Sequence, residues 1–558
     1  MATSITALQV PFSACILTPG GSVRKLIFVT GGVLSGLGKG VITASIGLLF
    51  KLSGYKVSLQ KIDPYLNLDA GTMNPYEHGE VFVTRDGMET DLDIGRYERF
   101  LGEELTAVNY MTTGQVYWNV IRKERAGEFL GKTVQVIPHI TDEIKGLILR
   151  AVEGAEIGVV EIGGTVGDIE SLPFLEALRQ LRDDLPREDT FFVHLTLLPR
   201  LSSTDELKTK PTQHSVKELR AIGIQPDAIV ARADGPLPDG VRRKIARFCD
   251  VPMENVIEDP DLDSIYAAPL VLHDQGLDDR ISCRLGLPAV QPDLSAWTER
   301  LARLRNPTRE VRIGIVGKYV ELEDSYISIR EALIHAGIAN DARVEMLWIP
   351  AEAVAWDGPE KHLEGIDGLL VPGGFGDRGI EGKVEAISYV RKRKIPFFGI
   401  CLGLQCAVIE FARDRLGLPQ ANSSEFDPHT PDPVIDLLPD QADVRDKGGT
   451  MRLGEYETVL KNGTRAYDCY RADRIRERHR HRYEFNPAYR EAFEAAGMVV
   501  SGTSPDGRLV EIIELPDHPW YVGVQFHPEF TSRFLFPHPL FSGFVEACLR
   551  RRDSSSSS

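Results

Sequence analysis

Phe398-Gly399-Ile400-Cys401-Leu402-Gly403-Leu404-Gln405 is the stretch on which the reading of this chain turns. It follows Arg393-Lys394-Ile395-Pro396-Phe397, a basic turn running into a short apolar segment, which marks a buried strand of a parallel sheet. Gly403 to Arg413 has helical spacing and few breakers. Cys401 therefore stands between a strand and a helix, with a glycine two residues away on each side, the spacing of a nucleophile elbow. Glycine lets the backbone turn sharply, and a helix N-terminus favours a thiolate. A lone cysteine in apolar surroundings is ordinarily a packing residue, so chemistry at Cys401 depends on what its neighbours supply.

A thiol nucleophile needs a base within hydrogen-bond reach, and the base needs an orienting acceptor. Trp520 to Phe530 reads as a strand running into His527-Pro528-Glu529, and this His-x-Glu supplies both. Leu369-Leu-Val-Pro-Gly373-Gly374-Phe375-Gly376 is a strand ending in a glycine turn suited to an oxyanion hole. All three features fall in an α/β pattern that begins at Val311-Arg-Ile-Gly-Ile-Val-Gly317. Residues 291–310 lack a clear buried pattern, carry Pro292 and Pro307, and are read as a linker.

Before the linker, strands alternate with helices, the pattern of a parallel α/β sheet. Lys25 to Thr30 is a short β-rich run, followed by the glycine loop Gly31-Gly-Val-Leu-Ser35-Gly-Leu-Gly38-Lys39-Gly40 and an apolar-periodic segment, Val41 to Leu52. Strand, glycine loop and helix make a phosphate site, with backbone N–H groups cradling oxygens and Lys39 reaching the terminal phosphates. Gly40 stands where a phosphate loop usually has Ser or Thr, so no hydroxyl waits there for Mg²⁺. Carboxylates must then hold the metal. They crowd the segment from Asp63 to Asp93, and Glu161 ends the strand Ile157–Ile162 before the acidic loop Gly163 to Glu170. Asp91 and Asp93 share a face if their segment is extended. Val57–Lys61, Phe191–Leu198 and Asp227–Ala231 read as further strands. Lys208-Thr-Lys210-Pro-Thr-Gln213-His214-Ser215 suits a triphosphate tail.

The 558 residues are enough for two to four domains. With 42% hydrophobic and 26% charged residues the composition is that of a soluble globular protein. A net charge of −17 argues against general affinity for nucleic acid or anionic membranes. The seven cysteines, at 15, 249, 283, 401, 406, 469 and 548, include no C-x-x-C pair. That argues against a disulfide framework and for a reducing cytoplasm. No apolar run approaches the ~18 residues of a membrane helix, and the first twenty residues lack the basic n-region of a signal peptide.

The elbow, the glycine turn and the His-x-Glu resemble the class I, or triad, glutamine amidotransferases. The resemblance implies Cys401, His527 and Glu529 as catalytic residues. It implies Gly374, Leu402, Gly403, Leu404, Gln405, Glu425 and Arg482 as glutamine-binding residues. Most arginines of Arg471–Arg482 are expected on a solvated basic surface. The N-terminal motifs GGVLSGLGKG, KIDPYLNLDAGTMNPYEHGEVFVT, EIGGTVGDIESLPFLEALRQ and KTKPTQHSVKEL resemble those of the CTP synthase family. That resemblance runs from about Lys25 to about Arg550.

It implies a P-loop-type amidoligase domain over 25–290 and an amidotransferase domain over 311–550, both parallel-sheet α/β. Residues 1–24 would be an N-terminal extension and 551–558 a disordered tail. ATP would phosphorylate UTP at O4, and ammonia released from glutamine and passed through an internal tunnel would displace the phosphate to give CTP. Carried over by position, Gly36, Leu37, Gly38, Lys39, Gly40, Val41 and Asp93 bind ATP, while Asp93 and Glu161 bind Mg²⁺. Ser35, Asp168, Ile169, Glu170, Lys208, Thr209, Lys210, Pro211, Thr212, Gln213 and Lys244 bind UTP or the inhibitory product CTP. GTP as allosteric activator, a homotetramer and a cytoplasmic location are also implied. A cobyrinate amidase-type synthetase would share the loop and the triad but lack the KTKPTQ and EIGGTVGDIES stretches. A non-catalytic ATPase fused to a dead amidotransferase module would have lost Cys, His or Glu.

Overall fold

The computed structural model describes residues 24–74, 78–201, 206–318, 320–437 and 451–556. Of the expected N-terminal extension only Arg24 falls within them, and Ser557 and Ser558 also lie outside. The chain forms two compact units. One combines the residues up to Leu68 with Val108–Leu294, and the other combines Asp69–Ala107 with the chain from Ser295 onward.

The first unit is built on a seven-stranded parallel sheet in the order Val256–Pro260, Ala228–Ala233, Thr190–Leu198, Lys25–Gly31, Ile157–Ile162, Val57–Asp63, Tyr110–Thr112. The central strands are buried along nearly their whole length, which is why they read as unbroken apolar runs. Helices Thr113–Arg125, Thr141–Ala151 and Leu172–Asp184 place Val116, Ile144, Ile148, Phe174 and Leu178 in one cluster with Phe28, Val160 and Phe192. The helix after the glycine loop begins at Lys39 and runs to Leu52.

The second unit holds a nine-stranded mixed sheet. Ala342–Pro350, Arg309–Gly317, Gly368–Val371, Phe397–Ile400 and Tyr521–Val524 are parallel neighbours. Val510–Glu514, Val499–Thr503, Arg452–Leu460 and Arg474–His481 continue it as antiparallel strands, which the alternating pattern did not foretell.

Three expectations change. Residues 291–310 are not devoid of a buried pattern, because Ser295–Arg305 is a helix that buries Trp297 and Leu301. Trp297 packs against Phe100 at 5.4 Å and Phe534 at 4.4 Å between ring centroids. Pro292 and Pro307 flank this helix and interrupt nothing within it. The last helix runs from Pro539 to Ser556, through residues expected to be disordered. The acidic segment does not stay extended as far as Asp93 either. A two-residue hairpin, Phe82–Val83 with Glu89–Thr90, leads into helix Leu92–Leu101. Asp91 is its N-cap, accepting from Asp93 N at 2.8 Å, so it satisfies an otherwise orphaned amide instead of sharing a face with Asp93.

Candidate active site

Cys401 sits where strand Phe397–Ile400 turns into helix Leu402–Arg415, with φ 51° and ψ −102°, a conformation that non-glycine residues adopt only under constraint. The constraint is close packing. A Cβ on Gly399 would lie 2.8 Å from the carbonyl carbon of Gly403, and one on Gly403 would lie 2.1 Å from Val371 O. The G-x-C-x-G spacing is thus a steric requirement of the turn. Cys401 N donates to Val524 O at 2.7 Å, tying the elbow to the strand that leads to His527.

His527 and Glu529 complete the arrangement. His527 Nδ1 is 2.7 Å from Glu529 Oε1, and among the described residues Nε2 has no other hydrogen-bond partner, which leaves it to the thiol. Gly373 lies between Cys401 and His527, since a Cβ there would be 2.8 Å from His527 Cε1 and 3.5 Å from Cys401 Cβ. Burial alone would drive the proton from His527. The Glu529 carboxylate and the Cys401 sulfur outweigh it and raise the imidazole to about 10.

Beside Cys401 is a cavity of about 450 Å³. Gly374, Gln405, Glu425 and Arg482 line it, so four of the seven expected glutamine-binding residues share one space with the thiol. Glu425 accepts from Gly376 N at 3.0 Å, and its burial raises its pKa. Gln405 donates through Nε2 to Tyr483 O at 3.0 Å. Leu402, Gly403 and Leu404 are not among the lining residues. The side chains of Leu402 and Leu404 pack into the apolar core.

Sequence reasoning missed the cavity's other wall, which comes from 69–107 and the strand Arg474–His481. Arg474 and Arg476 are exposed, as expected of a basic surface, but Arg478 is fully buried. It pairs with Glu98 at 3.0 Å and donates to Val83 O at 3.0 Å. Arg480 pairs with Glu89 at 2.7 Å and lies 4.9 Å from the ring centroid of Phe375, next to the Gly373-Gly374 turn. Arginine at every second position from 474 to 480 was the available signal for a half-buried strand.

In the first unit, Ser35 and Gly36 are exposed at the tip of the glycine loop, and Gly36 and Gly38 take φ of 75° and 96°. Only glycine adopts these angles freely. Lys39 Nζ donates to Gly164 O at 2.6 Å, joining the loop to the one after Glu161. Gly40 and Val41 lie in the first turn of the helix, and Leu37 is buried. Asp168, Ile169 and Glu170 are exposed, Ile169 at 81%. Thr209 precedes helix Lys210–Ala221, whose first turn holds Lys210, Pro211, Thr212 and Gln213. Lys208 bonds Glu206 at 2.5 Å, and its hydrogen bond and charge, with a weaker pull from Lys244, hold that carboxyl low. Glu161 is buried, with Lys61 Nζ 3.0 Å away and Asp63 3.7 Å from the same lysine. Asp93, in the second unit, pairs with Arg96. Among the described residues no group of three or more His, Cys, Asp or Glu is arranged to hold a metal ion, and no helix is long and apolar enough to cross a membrane.

Residues 321–547 match the family model for class-I glutamine amidotransferases, the class that the elbow and the His–Glu pair define. Residues 25–287 match the model described as CTP synthase N-terminus. A CTP synthase of Caldanaerobacter subterraneus subsp. tengcongensis is 59% identical over 529 residues, covering 94% of this chain and 98% of its own length. One from Methanocaldococcus jannaschii is 57% identical over 533 residues, covering 94% and 99%. The chain belongs to the CTP synthase family. Among solved structures, the glutaminase domain of Trypanosoma brucei CTPS with bound acivicin is 37% identical, covers 43% of this chain and 94% of its own, and has a TM-score of 0.41.

Proposed function

We propose that this chain converts UTP to CTP, using ATP and either glutamine or ammonia. The observation that carries the reading is the convergence of Gly374, Gln405, Glu425 and Arg482 with Cys401 on one cavity, beside the His527–Glu529 pair, in a chain that also folds a phosphate loop. Cys401 sulfur attacks the side-chain amide carbon of glutamine. The oxygen of the tetrahedral intermediate receives N–H groups from the Gly374 turn and from Leu402, the residue after the nucleophile. His527 gives its proton to the leaving ammonia, and Glu529 holds the ring in position for that transfer. Water, deprotonated by His527, then hydrolyses the thioester and releases glutamate.

In the first unit Gly36 to Val41 bind ATP, with Lys39 on its phosphates, while Ser35, Asp168 to Glu170, Lys208 to Gln213 and Lys244 bind UTP or CTP. The γ-phosphoryl group moves to uracil O4, ammonia attacks C4, and phosphate leaves with the oxygen. The protein works in the cytoplasm as a homotetramer activated by GTP and inhibited by CTP. The test is CTP formation from UTP, ATP and glutamine, followed by absorbance. No CTP from the purified full-length protein with either nitrogen source would overturn the reading.

The donor chemistry suits Mg²⁺. Lys61 already places a positive charge between Glu161 and Asp63, and hard carboxylate oxygens are what this cation prefers. Glu161, in the first unit, would hold it, Asp93 is the other ligand that the family resemblance implies, and Mg²⁺ would supply charge neutralisation on the phosphates. Since the described residues include no cluster of three such ligands, water and phosphate oxygens would complete the sphere. Asp93→Asn and Glu161→Gln keep the shape and remove a charge. Each is expected to raise the Mg²⁺ needed for half-maximal CTP formation by about tenfold or more while glutamine hydrolysis continues. Wild-type Mg²⁺ titration curves in both variants would move the metal site elsewhere.

A further inference from the structure

Thr30, His194 and Ser215 form a buried hydrogen-bonded chain to which the roles above assign nothing. Thr30 lies on the strand that enters the phosphate loop, and His194 is its register partner on the neighbouring strand. Ser215 lies in helix Lys210–Ala221, two residues after Gln213. His194 Nδ1 is 2.8 Å from Thr30 Oγ1, and Nε2 is 2.8 Å from Ser215 Oγ. Thr30 Oγ1 also donates to Val193 O at 3.3 Å. A hydroxyl has one proton to give, so Nδ1–H donates to Thr30 and Nε2 accepts from Ser215. His194 is fully buried, and its burial, with the nearby Lys39 charge, lowers it to about 3. The ring therefore stays neutral with one donor and one acceptor, as a crosspiece needs.

The phosphate loop rests on this chain. A Cβ on Gly32 would be 1.6 Å from Ser215 Oγ and 3.1 Å from His194 Nε2. The next residue, Val33, is β-branched yet held at φ 81°, so its surroundings fix the loop's path. On the same helix Thr212 Oγ1 is 3.2 Å from Thr196 Oγ1, which pins the helix a second time to the strand that carries His194.

We propose that His194 is a positioning residue that sets the spacing between the phosphate loop and the helix bearing Lys210 and Gln213, so that ATP and UTP meet in line. The inference rests on the assignment of those two elements to ATP and UTP. Reacting atoms must approach to about 3–3.5 Å, and a misplacement of about 1 Å costs on the order of 100-fold in rate.

The test compares His194→Leu, His194→Asn and His194→Gln in the full-length protein, with ammonia as nitrogen source. The glutamine side chain is long enough to bridge both hydroxyls, whereas asparagine is too short and leucine has no polar atom. Expected for Leu and Asn are a kcat about 100-fold lower and KM values for ATP and UTP near wild type. Bound ATP would be spent on water, so phosphate released per CTP formed should rise above the wild-type ratio. Gln should restore both kcat and that ratio. A merely structural role would lower the folded fraction without changing phosphate per CTP. If Leu fails to fold, the contrast between Asn and Gln carries the test. Equal kcat and equal phosphate per CTP in Asn, Gln and wild type would overturn the proposal while leaving the reaction assignment standing. A wild type that makes no CTP would overturn both.

Discussion

Replacing Cys401 by alanine is expected to abolish CTP formation from glutamine and to leave formation from ammonia largely intact. The sulfur makes few contacts to lose. Besides His527, its polar neighbours include Gln525 Nε2 at 3.7 Å and Arg480 O at 3.9 Å. The elbow is shaped by Gly399, Gly403 and the bond from Cys401 N to Val524 O, all of which alanine retains. The fold should therefore survive. The chemistry should not, because loss of the nucleophile of a triad lowers kcat by a factor on the order of 10⁶. Phosphoryl transfer has no need of the thiol. The measurement is CTP absorbance in parallel assays with glutamine and with ammonium. Equal loss of both activities in a folded variant would mean that Cys401 does more than release ammonia.

The parts of this site that were legible beforehand are those in which local sequence carries the physics. The elbow is spelled by two glycines that no side chain could replace, and the phosphate loop by a buried strand, positive-φ glycines and a lysine at the helix start. His527 and Glu529 are two residues apart and could be paired by spacing alone. What stayed hidden depends on partners distant in sequence. Nothing local says that Arg478 is buried, because its counter-charge, Glu98, lies 380 positions earlier on helix Leu92–Leu101. The affiliation of 69–107 with the second unit rests on such pairs, on Arg480 with Glu89, and on Phe82 packed edge-on to Phe530 at 5.0 Å. Helix Ser295–Arg305 offers only Trp297 and Leu301 to the core, too few apolar positions to stand out between two prolines. The four antiparallel strands follow no alternation with helices, so that pattern could not announce them.

Lys39→Ala is expected to remove CTP formation from both nitrogen sources, since activation of O4 by phosphoryl transfer precedes attack by either ammonia. The structural cost should be small. The bond that Lys39 Nζ donates to Gly164 O at 2.6 Å is worth about 1 kcal/mol net. Alanine is also the best residue for the helix that begins at this position. The functional cost should be large, because the ammonium stabilises charge on the phosphoryl group as it transfers. Such a contribution is about 3–4 kcal/mol, on the order of 10²–10³ in rate. Glutamine hydrolysis at Cys401 lies in the other unit and should persist, separating this variant from one that has unfolded. The same ammonium and glutamine assays give the answer when glutamate release is measured alongside CTP. A variant that keeps more than about a tenth of the ammonia-dependent rate would fall well short of the loss a phosphate-bound lysine implies, and Lys39 would then be a loop brace holding Gly164 and not a phosphate ligand.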